Sequence, residues 1–365
     1  MRTAFVTLSL VCVFCAALAG AQQTALPVSV APSNRLVRTI GRWDVSDPHG
    51  PRCAWPASEM QFRFRGSAAS IAFNESGNDE WQVVVDGVPT AVLRLTPGGS
   101  MQPVAADLRS GAHTVSLVKR TEAFVGTTQI TAIELSASGR LLPLPRPSAR
   151  NVEVIGDSIS CGYGNLGKDQ YQHFSVDTED AYLSYGAVAA RLLGANYTCV
   201  AWSGRKLWPD NTIPEIYNRT LPQDAASRWD YSRWTPSAIV INLATNDFGA
   251  GIPDEAAWTG AYESFIARLL RHYPAARIYC ASGPMMSDAY PPGKNALTTL
   301  IAYLGKIVAD EHAAGNRRVA VLEFATQDAK NGYGSDWHPS VKTDAIMAET
   351  MARRIGHDEH WKLAP

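Results

Sequence analysis

Two textures of apolar residues divide this chain. Between about residues 36 and 140 apolar and polar positions alternate, as in Met60-Gln61-Phe62-Arg63-Phe64-Arg65, the signature of a strand with one face buried. Trp81-Gln82-Val83-Val84-Val85 runs into Asp86-Gly87, a strong hairpin signal, and out again through Val92-Leu93-Arg94-Leu95. Thr114 to Val118 and Ile130 to Leu135 continue the series, with no helical window between. The pattern predicts an antiparallel, jelly-roll-like β-sandwich over 36–142. Leu142-Pro143-Leu144-Pro145-Arg146-Pro147 then forms a stiff joint that neither a helix nor a central strand can cross.

Beyond the joint, over 148–360, the strands stop alternating. Continuous apolar runs at Val152–Ile155, Tyr197–Ala201, Ala238–Leu243, Arg277–Ala281 and Val319–Phe324 are separated by helical windows near 179–193, 254–272, 295–314 and 340–355. Strands apolar on both sides, interleaved with helices, predict a parallel sheet covered on each face, an α/β/α three-layer domain. In such sheets the functional crevice lies at the carboxyl ends of the strands. Ser158, Gly204, Asn246 and Pro284 each follow a predicted strand directly.

The chain has 365 residues, 46% of them hydrophobic, which is ample for two cores. Lys and Arg number 33 against 34 Asp and Glu, for a net charge of -1. That balance gives no basis for nucleic-acid binding or for attraction to an anionic membrane. Arg2, an apolar core over residues 4–18 and Ala19-Gly20-Ala21 read as a signal peptide over 1–21, so a secreted or periplasmic protein is expected. Its apolar run is shorter than a spanning helix needs, and no later segment reaches that length. Residues 22–35, rich in Gln, Pro, Ser and Ala, read as a linker. Four cysteines then remain: Cys53, Cys161, Cys199 and Cys280. Export permits disulfides, and Cys161–Cys199 is the first pairing to test, set against four buried thiols. His357-Asp358-Glu359-His360 lies in a polar tail and reads as solvated rather than as a metal site.

The chemistry sits in four short blocks. In Val154-Ile155-Gly156-Asp157-Ser158 a glycine-led turn lifts a serine from a strand end and frees its backbone N–H. In Trp202-Ser203-Gly204-Arg205 a glycine offers an unhindered amide, and in Leu243-Ala244-Thr245-Asn246-Asp247 a side-chain amide stands at a strand tip. Each is also a common turn when taken alone; their conjunction on one sheet rim points to an oxyanion hole. In Gly334-Ser335-Asp336-Trp337-His338-Pro339 a histidine precedes the last helix, with Pro339 suited to its first turn. A serine hydroxyl becomes nucleophilic only when a base takes its proton, so Ser158 and His338 suggest acyl transfer, with Asp336 as the orienting carboxylate. Asp247 and Trp337 are candidates for substrate contact; Trp202, Trp208 and Tyr163 add aromatic surface near the blocks. The α/β-hydrolase signature G-x-S-x-G is absent.

Gly156-Asp157-Ser158, Gly204, Asn246-Asp247 and Asp336-x-His338-Pro339 fall in the order of the four SGNH (GDSL-type) hydrolase blocks, which the chain therefore resembles over about 150–355. The preceding sandwich, the proline-rich hinge and Gly162-Tyr163-Gly164 resemble the carbohydrate esterase family 2 acetyl esterases. The resemblance implies a metal-independent enzyme without cofactor, acting on acetylated glycans and expected to be a monomer. In it Ser158 is nucleophile, His338 base and acid, and Ser158 N–H, Gly204 N–H and the Asn246 side chain form the oxyanion hole. The usual SGNH spacing puts the Asp three residues before the His, where this chain has Ser335. Family 2 esterases tend to share that change, and some hold the histidine by a backbone carbonyl instead. The third block usually starts with Gly and here starts with Ala244, which is expected to tighten the strand exit. The rival readings are a lipid esterase or thioesterase on the same fold, and a non-catalytic glycan-binding protein.

Overall fold

A computed structural model describes residues 27–364; the signal-peptide reading over 1–21 lies outside the described residues. The N-terminal strands are β1 (Val28–Val30), β2 (Val37–Ile40), β3 (Arg52–Cys53), β4 (Glu59–Gly66), β5 (Ala69–Glu75), β6 (Glu80–Val85), β7 (Val88–Arg94), β8 (Gly98–Ala105), β9 (Gly111–Lys119), β10 (Thr128–Leu135) and β11 (Arg140–Leu142). They form two antiparallel sheets, β1-β10-β5-β8 with β3 on β10, and β11-β4-β9-β6-β7 with β2 on β4. Met60, Phe62 and Phe64 of β4 face Ile71, Phe73, Ile130 and Ile133 across one shared core that also holds Trp43 and Trp81. The alternation predicted this arrangement. β8, whose Gly-Gly-Ser-Met-Gln-Pro carries little strand signal, is an edge strand, where a proline such as Pro103 is tolerated. Part of the presumed linker is strand: Val28–Val30 pairs antiparallel with Ile133–Leu135.

The C-terminal strands are β12 (Asn151–Gly156), β13 (Asn196–Ala201), β14 (Ala238–Asn242), β15 (Arg277–Ser282) and β16 (Val319–Glu323), all parallel in the order β13-β12-β14-β15-β16. The helices are α1 (Ser158–Cys161), α2 (Tyr185–Leu192), α3 (Ile213–Ile216), α4 (Thr245–Phe248), α5 (Glu255–His272), α6 (Ala296–Ala313) and α7 (Val341–Asp358). Alternate strand residues supply the two cores. Ile155, Ile239, Ile241, Ile278 and Cys280 pack on α3, α5 and α6. Val154, Val240, Tyr279 and Ala281 pack on α2 and α7. Strands β12 to β15 are thus buried on both faces, which is why their sequences read as continuous apolar runs. Because β12 has β13 on one side and β14 on the other, the chain reverses its direction of winding at the end of β12. Crevices open at such points.

Two local differences, and one expectation met at the third block, have physical causes. The helix predicted near 179 begins at Tyr185, because the Asp180 side chain accepts from Tyr182 N (2.9 Å) and Leu183 N, making a turn instead. Asp180 is also paired with Arg120 of the sandwich at 3.1 Å, which fixes that turn at the junction. The tested disulfide does not form: Cys53, Cys161, Cys199 and Cys280 are all free, buried thiols. Cys199 instead donates to Ser160 O at 3.5 Å. Finally, Ala244 adopts φ 130°, a conformation that suits glycine, so the replacement in the third block does strain the exit of β14.

The sandwich is packed into the parallel domain rather than tethered to it. Trp55 joins the core under α5, while Ala57 and Val118 join the core under α2. Arg42, fully buried, faces Glu153 of β12 at 3.9 Å and lies over the Tyr217 ring. Among the described residues no helix is long and apolar enough to cross a membrane.

Candidate active site

The four blocks meet at the rim of the parallel sheet. Ser158 follows β12, Gly204 follows β13 and Asn246 follows β14, so the three come from adjacent strands. The fourth block enters from the loop before α7. Together with Tyr163, Ser203, Thr245 and Met285 they line an open hollow of about 360 Å³.

Ser158 is the first residue of a short turn of helix. Asp157 caps that turn, its Oδ1 accepting from Ile159 N at 3.0 Å. The first amides of a helical turn have no intrahelical acceptor, which leaves Ser158 N–H available at the hollow. Ser158 Oγ lies 2.8 Å from His338 Nε2. On the far side of the ring, His338 Nδ1 lies 3.1 Å from Ser335 O and 3.2 Å from Asp336 O. Both are acceptors, so the Nδ1–H tautomer is selected, and Nε2 is left as the base facing the serine. The ring is half-buried, and that burial lowers the His338 pKa below its usual value, more than the two carbonyls raise it.

The Asp336 carboxylate does not orient this histidine, which corrects the expectation from the sequence. Asp336 and Trp337 take left-handed backbone angles, φ 52° and 66°. That double turn aims the carbonyls at His338 and the carboxylate away from it. Asp336 Oδ2 accepts from Phe174 N at 2.9 Å and from the Tyr163 hydroxyl at 3.1 Å, while Oδ1 meets His173 Nδ1 at 2.8 Å. Burial works against its charge, but these hydrogen bonds outweigh it and hold the carboxyl below the usual range. Asp336 therefore pins the 171–174 loop over the site, and Tyr163 is clamped between Phe174 and His338, with both ring centroids at 4.3 Å. Gly164 gives Gly162-Tyr163-Gly164 its role. Its carbonyl accepts from Ser335 N at 2.8 Å, and any Cβ at Gly164 would sit 2.6 Å from the Ser335 Cβ. The serine and histidine loops dock through that contact.

The donors stand as follows. Gly204 has φ 76°, where glycine is at ease, and open space above its α-carbon. Asn246 lines the hollow, its Nδ2 donating to Arg205 O at 2.9 Å and, more weakly, to Asp157 Oδ2 at 3.5 Å. Asp157 is fully buried; burial, with Asp247 and Glu122 nearby, pushes its pKa up to about 7 against the pull of its cap to Ile159 N.

The Asp247 carboxylate, expected from the sequence to meet substrate, is engaged within the protein. Both its carboxylate oxygens accept from Leu207 N, and Oδ1 also takes Trp208 N and Trp258 Nε1, each at 2.9 Å. It ties the 207–208 loop to α5. Trp208 and Trp202 pack against the core as half-buried rings, whereas Trp337 is 49% exposed and meets Tyr171 and Tyr333. The sequence did not single out Tyr171, Phe174, Thr245 or Met285. Met285 lies just past β15, so the strand-end rule could have found it; the 163–180 insertion has no periodicity to read.

Among the described residues one group of side chains has metal-ligand character: Glu122, Cys161 and Glu179, whose donor atoms lie within 4.8 Å of one another. Hydrogen bonds engage its carboxylates in part: Glu122 takes both Ser203 N and Ser203 Oγ, and Glu179 Oε2 takes Glu122 N at 3.1 Å, while Glu179 Oε1 is buried without a partner. At the C-terminus His357 pairs with Asp358, itself held by Arg354 and Tyr279.

Comparison with known proteins agrees with this architecture. Residues 154–346 match the GDSL-like Lipase/Acylhydrolase family and residues 39–145 match the family Carbohydrate esterase 2 N-terminal. A solved family two carbohydrate esterase from Clostridium thermocellum, in complex with cellohexaose, is 38% identical and superposes with a TM-score of 0.85. That match covers 89% of this chain and 99% of that one. The chain belongs to carbohydrate esterase family 2. It is also 38% identical to the Cellulase/esterase CelE of Acetivibrio thermocellus over 88% of its own length, though it spans only 39% of that relative. An Acetylxylan esterase / glucomannan deacetylase of Cellvibrio japonicus is 27% identical over 91% of this chain and 92% of the relative.

Proposed function

We propose that this chain is a secreted carbohydrate O-acetyl esterase that removes acetyl groups from plant-type polysaccharides or oligosaccharides through an acyl-serine intermediate. The observation that carries the reading is the Ser158 Oγ to His338 Nε2 contact of 2.8 Å, with Nδ1 held by two backbone carbonyls. Ser158 Oγ attacks the acetyl carbonyl carbon while its proton passes to His338 Nε2. The tetrahedral oxyanion accepts from Ser158 N–H, Gly204 N–H and the Asn246 amide. His338 then protonates the departing sugar oxygen as the ester C–O bond breaks. A water activated by the same ring attacks the acetyl-serine, releasing acetate and restoring the hydroxyl. No step uses the Asp336 carboxylate or a metal.

The relatives' names, an acetylxylan esterase / glucomannan deacetylase and a complex with cellohexaose, support a β-linked glycan as substrate. The exposed Trp337 ring, beside the base, offers an apolar face for a sugar. Lipid esterase or thioesterase activity on this fold calls for a long apolar groove, and the hollow is lined mainly by Ser, Thr, Asn, Gly and His. The test is acetate release from acetylated xylan and glucomannan against long-chain acyl esters. Acetate from the glycans with little turnover of long chains supports the reading, and the opposite preference sinks it.

The Asp336 geometry gives a separate prediction. Asp336→Asn keeps an acceptor for Phe174 N and tolerates the left-handed backbone. Its kcat on an aryl acetate is expected to fall by less than about tenfold, whereas an Asp that orients a triad histidine costs about 10⁴ when changed to Asn. Steady-state kinetics on the purified variant decide between these.

A further inference from the structure

We propose that Glu122, carried by the N-terminal sandwich, is a positioning residue for the esterase reaction: it anchors Ser203 and so sets the Gly204 N–H against the serine turn. This rests on the acyl-transfer reading above.

Glu122 lies just past β9 and is fully buried. Its own domain holds only its backbone: the buried Lys119, paired with Asp79 at 2.6 Å, reaches the Glu122 carbonyl at 3.3 Å. The carboxylate points out of the sandwich and is used entirely by the other domain. Ser203 N donates to Oε2 at 2.7 Å and Ser203 Oγ donates to Oε1. Cys161, on the helical turn that Ser158 opens, and Glu179 lie against it, with donor atoms of all three residues within 4.8 Å of one another. Burial, and then the Glu122 charge beside it, pushes the Glu179 carboxyl up. Burying a carboxylate is costly unless donors surround it, and these donors belong to the reaction centre. Glu122 thus joins the serine turn, the 179 loop and the 203 loop at one point.

Gly204 needs such an anchor. It has no side chain, and a Cβ placed there would meet nothing within 4 Å, so packing does not hold it. Its peptide is set by Ser203 on one side and by Asn211 Nδ2, which donates to Gly204 O at 3.2 Å, on the other. Without Glu122 the Ser203 side loses both of its hydrogen bonds to the sandwich. A misplaced oxyanion donor weakens transition-state binding while leaving ground-state binding alone.

The test compares Glu122→Ala, Glu122→Gln and Ser203→Ala in the full chain. The readouts are kcat and KM on 4-nitrophenyl acetate and inhibition by a small alkylboronic acid, whose serine adduct mimics the tetrahedral intermediate. Glu122→Ala is expected to lower kcat by about 10–100-fold and raise the boronate Ki by a similar factor, with KM within about twofold. Glu122→Gln, which keeps an acceptor and a donor, recovers most of kcat, and Ser203→Ala, which keeps one bond, falls between. If Glu122→Ala does not fold, the order wild type, Glu122→Gln, Ser203→Ala carries the same test. Unchanged kcat and boronate Ki in these variants overturn the proposal. So does a loss of activity that follows thermal stability while the boronate Ki stays fixed. Ser158→Ala separates the two readings: if it still hydrolyses ester, the acyl-transfer reading falls; if it is inert while the Glu122 and Ser203 variants match wild type, only this proposal falls.

Discussion

Ser158→Ala is expected to reduce acetate release by roughly 10⁴-fold or more, with little change in folding. The loss follows from chemistry: without Oγ no acyl-enzyme forms, and the remaining donors can only polarise the ester towards water. In a well-studied serine hydrolase, deletion of the nucleophile alone costs about 10⁶ in kcat. The stability change is small because the hydroxyl makes one side-chain contact, to His338 Nε2, while the turn itself is held by the Asp157 cap. The variant should also stop incorporating label from an acyl-serine trapping reagent. Retained turnover, measured as acetate from an acetylated glycan, would be incompatible with Ser158 as nucleophile.

His338→Ala should be nearly as severe, and the pair should not be additive. Nucleophile and base act as one unit, so the double variant Ser158→Ala/His338→Ala is expected to be no slower than the worse single variant. The same residue predicts the acid limb of the pH profile. His338 works as a base only when neutral, so kcat/KM declines as pH falls through its pKa. Burial lowers that pKa, so the limb lies below the ordinary histidine value of about 6.5. The stability sign agrees. The unfolded ring takes up its proton at higher pH than the folded one, so this residue's contribution to stability is lost as pH falls from about 6.5 through the folded pKa. A profile whose acid limb sits above 6.5, or a double variant clearly worse than both singles, would count against this coupling.

The sheet rim was legible because burial on both faces forces a strand to be apolar throughout, and the abrupt polar break at its end marks the crevice. Val152–Gly156 ending at Ser158, Tyr197–Ala201 ending near Gly204 and Ala238–Leu243 ending near Asn246 each carried that mark. The role of Asp336 was not legible. Spacing places it beside His338, but whether carboxylate or carbonyl faces the ring depends on two left-handed residues in succession, φ 52° and 66°. The bonds of Asp247 were not legible for a similar reason: its neighbour Asn246 lines the hollow, while its own carboxylate turns back to cap the 207–208 loop and meet Trp258. No motif marks Glu122, since its partner Ser203 is 81 residues away in the other half of the chain.

Periodicity alone determined the two layers of architecture, the sandwich and the parallel sheet, and the strand ends at which chemistry could occur. It could do so because burial is a property of whole faces and is written at every second or every residue. The tertiary structure alone decided what each polar group does there: which atom steadies His338, which carboxylate serves a loop, and how the sandwich enters the reaction centre. Those outcomes turn on the direction of single side chains and carbonyls, set by contacts between segments far apart in the chain, and hydrophobic patterning carries no record of such directions.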